Sequence, residues 1–240
     1  IIQDQTSPNL AHIPTTNLLT YSEDFSTWVT TFSTIDINST TAPDGTLTAT
    51  KLNEDTTDTR HGLFYTGLSA SSSSNYSFSL FVKNNDRRYV ILTLNTSNTT
   101  EYYGIVVDLE TGILTQENIS SVSAYSYKIE KKENDWYRLS VSANLQIRYA
   151  TVSTSDSSTF TPIDFGYNSY LGTGKSIYIW GAQIEEQSQA TAYLKSDGIA
   201  AVRKATTTNL ITYSEDFSQW GANDVTLESG YASPDGGNNA

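Results

Sequence analysis

Apolar and polar residues alternate along most of the chain between Asn17 and about Tyr193. Tyr76, Phe78, Leu80 and Val82 fall on every second position, as do Val90, Leu92 and Leu94, and Tyr137, Leu139, Val141 and Ala143. A period of two puts such side chains on one face of a strand, whereas a helix needs a period near 3.6. The same reading predicts strands at 47–53, 61–66, 102–108, 122–130, 147–153 and 175–185, separated by Ser/Thr/Asn/Gly/Asp clusters. Asp108-Leu109-Glu110-Thr111-Gly112, between two apolar runs, predicts a hairpin with Gly112 in the left-handed position. No segment keeps helical periodicity for three turns, and Ser22-Glu23-Asp24 would cap at most one turn within 21–28. Ten or more short strands over about 180 residues predict an all-β fold, a two-sheet antiparallel β-sandwich of the jelly-roll kind. An immunoglobulin-type sandwich fits less well, because it needs only ~100 residues.

The chain also repeats itself. Thr16–Trp28 returns as Thr208–Trp220 with 11 of 13 positions identical, and Pro43-Asp44-Gly45 returns as Pro234-Asp235-Gly236. The offset of 192 residues far exceeds the ~20–50-residue period of solenoids and propellers, so the repeating unit is a whole domain. The expected organisation is a linker or anchor over 1–14, one module over 15–204, and a hinge with the truncated start of a second copy over 205–240. No Met occurs, even at position 1, so the expectation is a piece of a longer product.

Composition narrows the function. Acidic residues outnumber basic ones 26 to 14, for a net charge of −12, which argues against a nucleic-acid backbone or anionic lipid as partner. No apolar run approaches the ~20 residues that span a bilayer as a helix. The absence of Cys excludes disulfides and thiolate metal sites. Five Asn-X-Ser/Thr sequons, at Asn38, Asn75, Asn95, Asn98 and Asn118, are read as accidents of a Ser/Thr/Asn-rich surface.

Four landmarks carry a family resemblance. They are Asn17-Leu18-Leu19-Thr20-Tyr21-Ser22-Glu23-Asp24-Phe25-Ser26-Thr27-Trp28 with Ala42-Pro43-Asp44-Gly45; Tyr76–Lys83; Asn134-Asp135-Trp136-Tyr137-Arg138-Leu139; and Ile177-Tyr178-Ile179-Trp180-Gly181-Ala182-Gln183-Ile184-Glu185-Glu186 with Ala190-Thr191-Ala192-Tyr193. Together they resemble domains of bacteriophage tail-fibre and other virion structural proteins. Those domains are distantly similar to carbohydrate-binding modules of the family 4/9 type, which are jelly rolls. The resemblance implies a non-catalytic virion protein on the particle surface that contacts host cell-surface polysaccharide and other virion proteins. It further implies a homo-oligomer, in the usual form a homotrimer, with no membrane insertion. Two other roles stay open: a purely architectural or capsid-decoration protein, and a binding module of a secreted bacterial glycoside hydrolase.

Candidate chemistry is sparse. The histidines are His12, in the linker, and His61; neither a G-x-S-x-G elbow nor H-E-x-x-H is present, so no catalytic residue is assigned. Sugar recognition needs aromatic faces beside hydrogen-bonding groups, and Tyr102, Tyr103, Tyr125 and Tyr127 are the candidate platform. Tyr125 and Tyr127, at i and i+2, share one side of a strand. The competing reading is tyrosines lining half-exposed sheet faces or subunit contacts. Trp28, Trp136 and Trp180 read as core plugs whose indole N–H finds a backbone carbonyl. No cofactor is required. Structural calcium, which the resemblance associates with the meeting of opening motif and closing strand, would take Glu23, Asp24 and Glu185 as hard oxygen ligands.

Overall fold

The structure, a computed structural model, describes residues 13–204 apart from 71, 97–99 and 164–165. The second copy expected from 205 onward lies outside the described residues, as do His12 and most of the linker.

Two six-stranded antiparallel sheets face each other, as the alternating pattern predicts. The first runs β10-β9-β8-β13-β6-β2, where β2 is Val29–Thr31, β6 Gly62–Tyr65, β8 Tyr89–Asn95, β9 Tyr102–Asp108, β10 Ile113–Ser120 and β13 Tyr149–Ser155. The second runs β11-β12-β7-β15-β4-β3, where β3 is Ser33–Thr40, β4 Ala49–Glu54, β7 Ser74–Asn84, β11 Ser123–Lys131, β12 Trp136–Leu145 and β15 Ser176–Glu185. Two short ribbons complete it, β1 (Thr15–Asn17) with β16 (Ala201–Arg203), and β5 (Asp58–Thr59) with β14 (Tyr170–Leu171).

Register follows the apolar positions. Val82, Leu80, Phe78 and Tyr76 on β7 lie opposite Tyr137, Leu139, Val141 and Ala143 on β12. Across the sandwich, Leu94 lies beside Tyr103 and Ala150, Leu92 beside Ile105 and Val152, and Val90 beside Val107. All of these are buried in one core between the sheets. Each large apolar side chain so buried contributes about 1.5–3 kcal/mol relative to exposure. The predicted hairpin closes as expected, with Gly112 at φ 71° and its N–H donating to the Asp108 carbonyl at 2.7 Å.

Two expectations need correction. The edge strand β3 has no counterpart in the sequence reading, because it is mostly exposed and its alternation is limited to Ile35, which packs on the core, and Ile37. Trp28, Trp136 and Trp180 are buried, but of these three only Trp28 joins the intersheet core, where Phe25 and Tyr65 lie 5.4 and 5.5 Å from it between ring centroids. Its indole N–H has no hydrogen-bond partner among the described residues. Trp136 and Trp180 pack with Phe81, Ala42 and Ala49 in a separate cluster. That cluster lies on the other side of the second sheet, since Phe81 and Trp180 alternate with the core residues Leu80, Val82 and Ile179. The Trp180 Nε1 donates to the Thr48 hydroxyl at 2.9 Å rather than to a carbonyl.

The opening motif is held by the closing strand. β15 pairs with β4 only as far as Ile179, and its register with β7 shifts between Trp180 and Gln183. Gly181, at φ 62°, sits in that bulge, where a Cβ would lie 3.0 Å from the Phe81 ring. Beyond the bulge the opening segment takes the place of β4: Leu18 N donates to the Ile184 carbonyl at 2.7 Å, and Ala182 N to the Ser22 carbonyl at 2.8 Å. The single turn expected within 21–28 is a 3-10 turn at Phe25–Thr27, capped by Asp24 Oδ1 accepting from Ser26 N at 2.8 Å.

Candidate glycan-binding site

Tyr125 and Tyr127 sit on β11, the edge strand of the second sheet, and stay 44% and 42% exposed. Tyr127 pairs with Val141, a core residue, so its ring lies on the side of β11 that faces the other sheet. The Tyr125 ring lies 5.0 Å from that of Tyr103, which projects from β9 in the first sheet. Three of the four candidate tyrosines therefore meet where one side of the sandwich is open, between the edge strands β10 and β11. The Glu117 carboxylate of β10 joins them, accepting from the Tyr103 hydroxyl at 2.8 Å.

The fourth does not. Tyr102 is the strand neighbour of Tyr103 and so points to the opposite face of β9, where its pairing partners are Asn95 and Ser120. Tyr103 also needs correction as a stacking surface, because it is 0% exposed. Its ring belongs to the intersheet core, and only its hydroxyl reaches Glu117. Burial pushes that hydroxyl's pKa well above the ordinary tyrosine value, and the bond to the Glu117 carboxylate adds to the rise. Tyr103 is thus a neutral donor that fixes Glu117, and the rings open to a ligand are Tyr125 and Tyr127.

The calcium set does not fit. Glu185 is fully buried; its Oε1 accepts from the Thr15 and Thr191 hydroxyls, and its Oε2 from Thr191 N at 2.9 Å. Glu23 gives one oxygen to the Tyr193 hydroxyl at 3.0 Å and the other to Lys195 Nζ at 2.8 Å. Asp24 caps its own turn. No group of three or more acidic or histidine side chains suited to a metal occurs among the described residues. These carboxylates are used as internal acceptors, which a sequence cannot distinguish from ligands.

Catalytic machinery built on His61 is ruled out by its surroundings. The ring is fully buried, with Nδ1 2.8 Å from the Phe32 carbonyl and Nε2 3.2 Å from that of Tyr170. Both nitrogens face backbone carbonyl oxygens, and among the described residues neither meets a hydroxyl that it could activate as a nucleophile.

A hollow of about 320 Å³ on the other side of the second sheet is lined by Phe81, Trp180, Tyr193, Asp44 and Lys132. Sequence reasoning missed it, because it reads Trp180 as a core plug and gives Phe81 and Tyr193 no role of their own. The signal available was the parity of Phe81 and Trp180, which fall between the core positions of their strands.

No protein-family model matches the chain, and no curated protein does. Among solved structures, a carbohydrate-binding module, TmCBM27, described for specific mannan recognition, superposes with a TM-score of 0.34 at 11% identity, over 71% of this chain and 94% of that one. A likeness of that size assigns neither function nor site.

Proposed function

We propose that the module is a non-catalytic glycan-binding unit of a tailed-phage appendage, a tail fibre or similar, that meets host surface polysaccharide. The observation that carries glycan binding is the pair of exposed rings, Tyr125 and Tyr127, on an edge strand beside the Glu117 carboxylate. Ring faces suit sugar C–H surfaces, and a fixed carboxylate suits sugar hydroxyls. The phage assignment is supported by the motif resemblance and by the repeat of the opening motif at Thr208, which suits tandem modules on a fibre. Weak single sites become useful there through multivalency, in a homotrimer above all. The net charge of −12 favours neutral or basic glycans over acidic ones.

A second reading has its own support. β11 is an edge strand with an unpaired side, and an edge carrying exposed tyrosines also suits addition of a strand from another virion protein. A glycan array with the full chain and its Tyr125→Ala/Tyr127→Ala double variant decides between them. The proposal expects a loss of about tenfold or more in affinity for the recognised glycan. The melting temperature should change little, because both rings are already half in solvent. Absence of any glycan signal from the unaltered chain, or a signal indifferent to both substitutions, would remove the tyrosine edge as a sugar site and leave the architectural role.

A further inference from the structure

A second hollow of about 320 Å³ opens where the opening segment has replaced β4 beside β15. Tyr21, Asp24, Ser26, Asn38, Thr50 and Asp197 line it, with Glu23, Ile37, Thr48 and Lys195 at its walls. It lies apart from the tyrosine edge, which belongs to β9, β10 and β11, whereas this hollow is built on β3, β4 and the segments 21–26 and 195–197.

Its polar groups are unevenly satisfied. Glu23 and Lys195 neutralise each other at 2.8 Å, and the second Glu23 oxygen is held by Tyr193. Asp24 uses only Oδ1, in its cap, and Asp197 makes no side-chain bond among the described residues. Three carboxylates, Glu23, Asp24 and Asp197, thus face one cation, Lys195, and the mouth keeps an excess of negative charge. Independently, Thr50 lines the hollow, is only 1% exposed, and has a hydroxyl with no hydrogen-bond partner among the described residues. A buried hydroxyl left unmade costs on the order of 1–3 kcal/mol. Beside these polar groups stand two exposed apolar surfaces, the Tyr21 ring and the Ile37 side chain.

We propose that this hollow is a second saccharide site, selective for sugars carrying a free amine. A pyranose ring face would lie on Tyr21 and Ile37. Its hydroxyls would meet Ser26, Asn38 and the vacant acceptor and donor capacity of Thr50. Its ammonium would meet Asp24 and Asp197. N-acetylation removes the positive charge and adds bulk at that point, so a free amine is preferred. The site does not depend on glycan binding at the tyrosine edge.

Isothermal titration of the full chain with a glucosamine tetrasaccharide, its fully N-acetylated counterpart and spermidine tests this. The free-amine sugar should bind about tenfold tighter than the acetylated one, and more weakly as salt is raised. Spermidine, which has the charge without the ring, should not compete. Asp24→Asn with Asp197→Asn should cost about tenfold in affinity. The chain should remain folded, since Asn caps a turn as well as Asp does. Thr50→Val should weaken the sugar without lowering the melting temperature, because it deletes a hydroxyl that nothing in the fold uses. Tyr125→Ala/Tyr127→Ala should leave this binding unchanged. Equal affinity for both tetrasaccharides, competition by spermidine, indifference to the Asp variants, loss on the tyrosine substitutions, or no binding would each overturn the proposal.

Discussion

Asn17 is fully buried, and its side chain joins the two ends of the module. Its Oδ1 accepts from Leu19 N at 3.2 Å and from Ile184 N at 3.1 Å; its Nδ2 donates to the Leu194 carbonyl at 3.0 Å and to Ser196 Oγ at 3.3 Å. Removing one partner of a buried bond leaves the other unsatisfied, which costs more than the bond itself contributes. Asn17→Ala strands several backbone groups at once. The expected loss is about 2–4 kcal/mol in urea unfolding, with the slope of the transition unchanged. Asn17→Asp keeps both acceptor bonds and should fall between. A loss below about 1 kcal/mol would mean water replaces the amide and the ends are held elsewhere. The importance of this Asn was visible in the sequence only as the start of a repeated motif. Apart from Leu19, its partners are more than 160 positions away, and no local pattern points to them.

Among the elements, legibility follows the packing of one face on the intersheet core. β7, β12 and β8 were readable because one side of each strand packs on the core and the residues alternate accordingly. β3 has one strand neighbour and only Ile35 packs on the core, so its alternation is confined to Ile35 and Ile37 and is too short to read as a strand. The candidate tyrosines divide for a related reason. Alternation placed Tyr125 and Tyr127 together, but that Tyr103 belongs to the core depends on which sheet covers β9. The join between β4, the β7–β8 turn and the approach to β15 was also invisible. There Glu54, at the end of β4, is 3% exposed and accepts from Arg87 Nε at 2.9 Å, from Arg87 Nη2, from the Tyr170 hydroxyl at 2.6 Å and from Thr173 N at 2.8 Å. Glu54→Ala would leave a buried guanidinium unpaired, at a cost of about 3–5 kcal/mol. Replacing both, with Glu54→Leu and Arg87→Met, should cost distinctly less than the sum of the single changes. Thermal or urea unfolding of the four proteins in a double-mutant cycle checks this, and additivity would show that the two do not act as a pair.

At the scale of the whole molecule, two electrostatic effects oppose each other as pH falls. The chain carries −12 at neutrality and has a pI near 4.4, so acidification toward that value relieves self-repulsion and favours the compact state. Against this stand carboxylates whose pKa values the fold lowers. Burial alone would raise that of Glu54, but its bonds to Arg87, Tyr170 and Thr173 outweigh burial and hold it below its ordinary 4.5. Asp108 is lowered from 3.8, first by its bond to Arg88 and further by the Glu110 backbone N–H. A group with a depressed folded pKa contributes stability that is fully present above its unfolded pKa and is lost as pH falls through the folded one. Diffuse repulsion among exposed charges is screened within about 8 Å at physiological salt, whereas the Glu54 pair is buried and is not. The specific carboxylates should therefore win. The melting temperature is expected to stay level from neutrality to about pH 5 and to fall below about pH 4.5. Glu54→Gln, which cannot titrate, should start lower and decline less steeply over the same interval. A melting temperature that climbs to a maximum near pH 4.4 would assign the dominant effect to net charge instead.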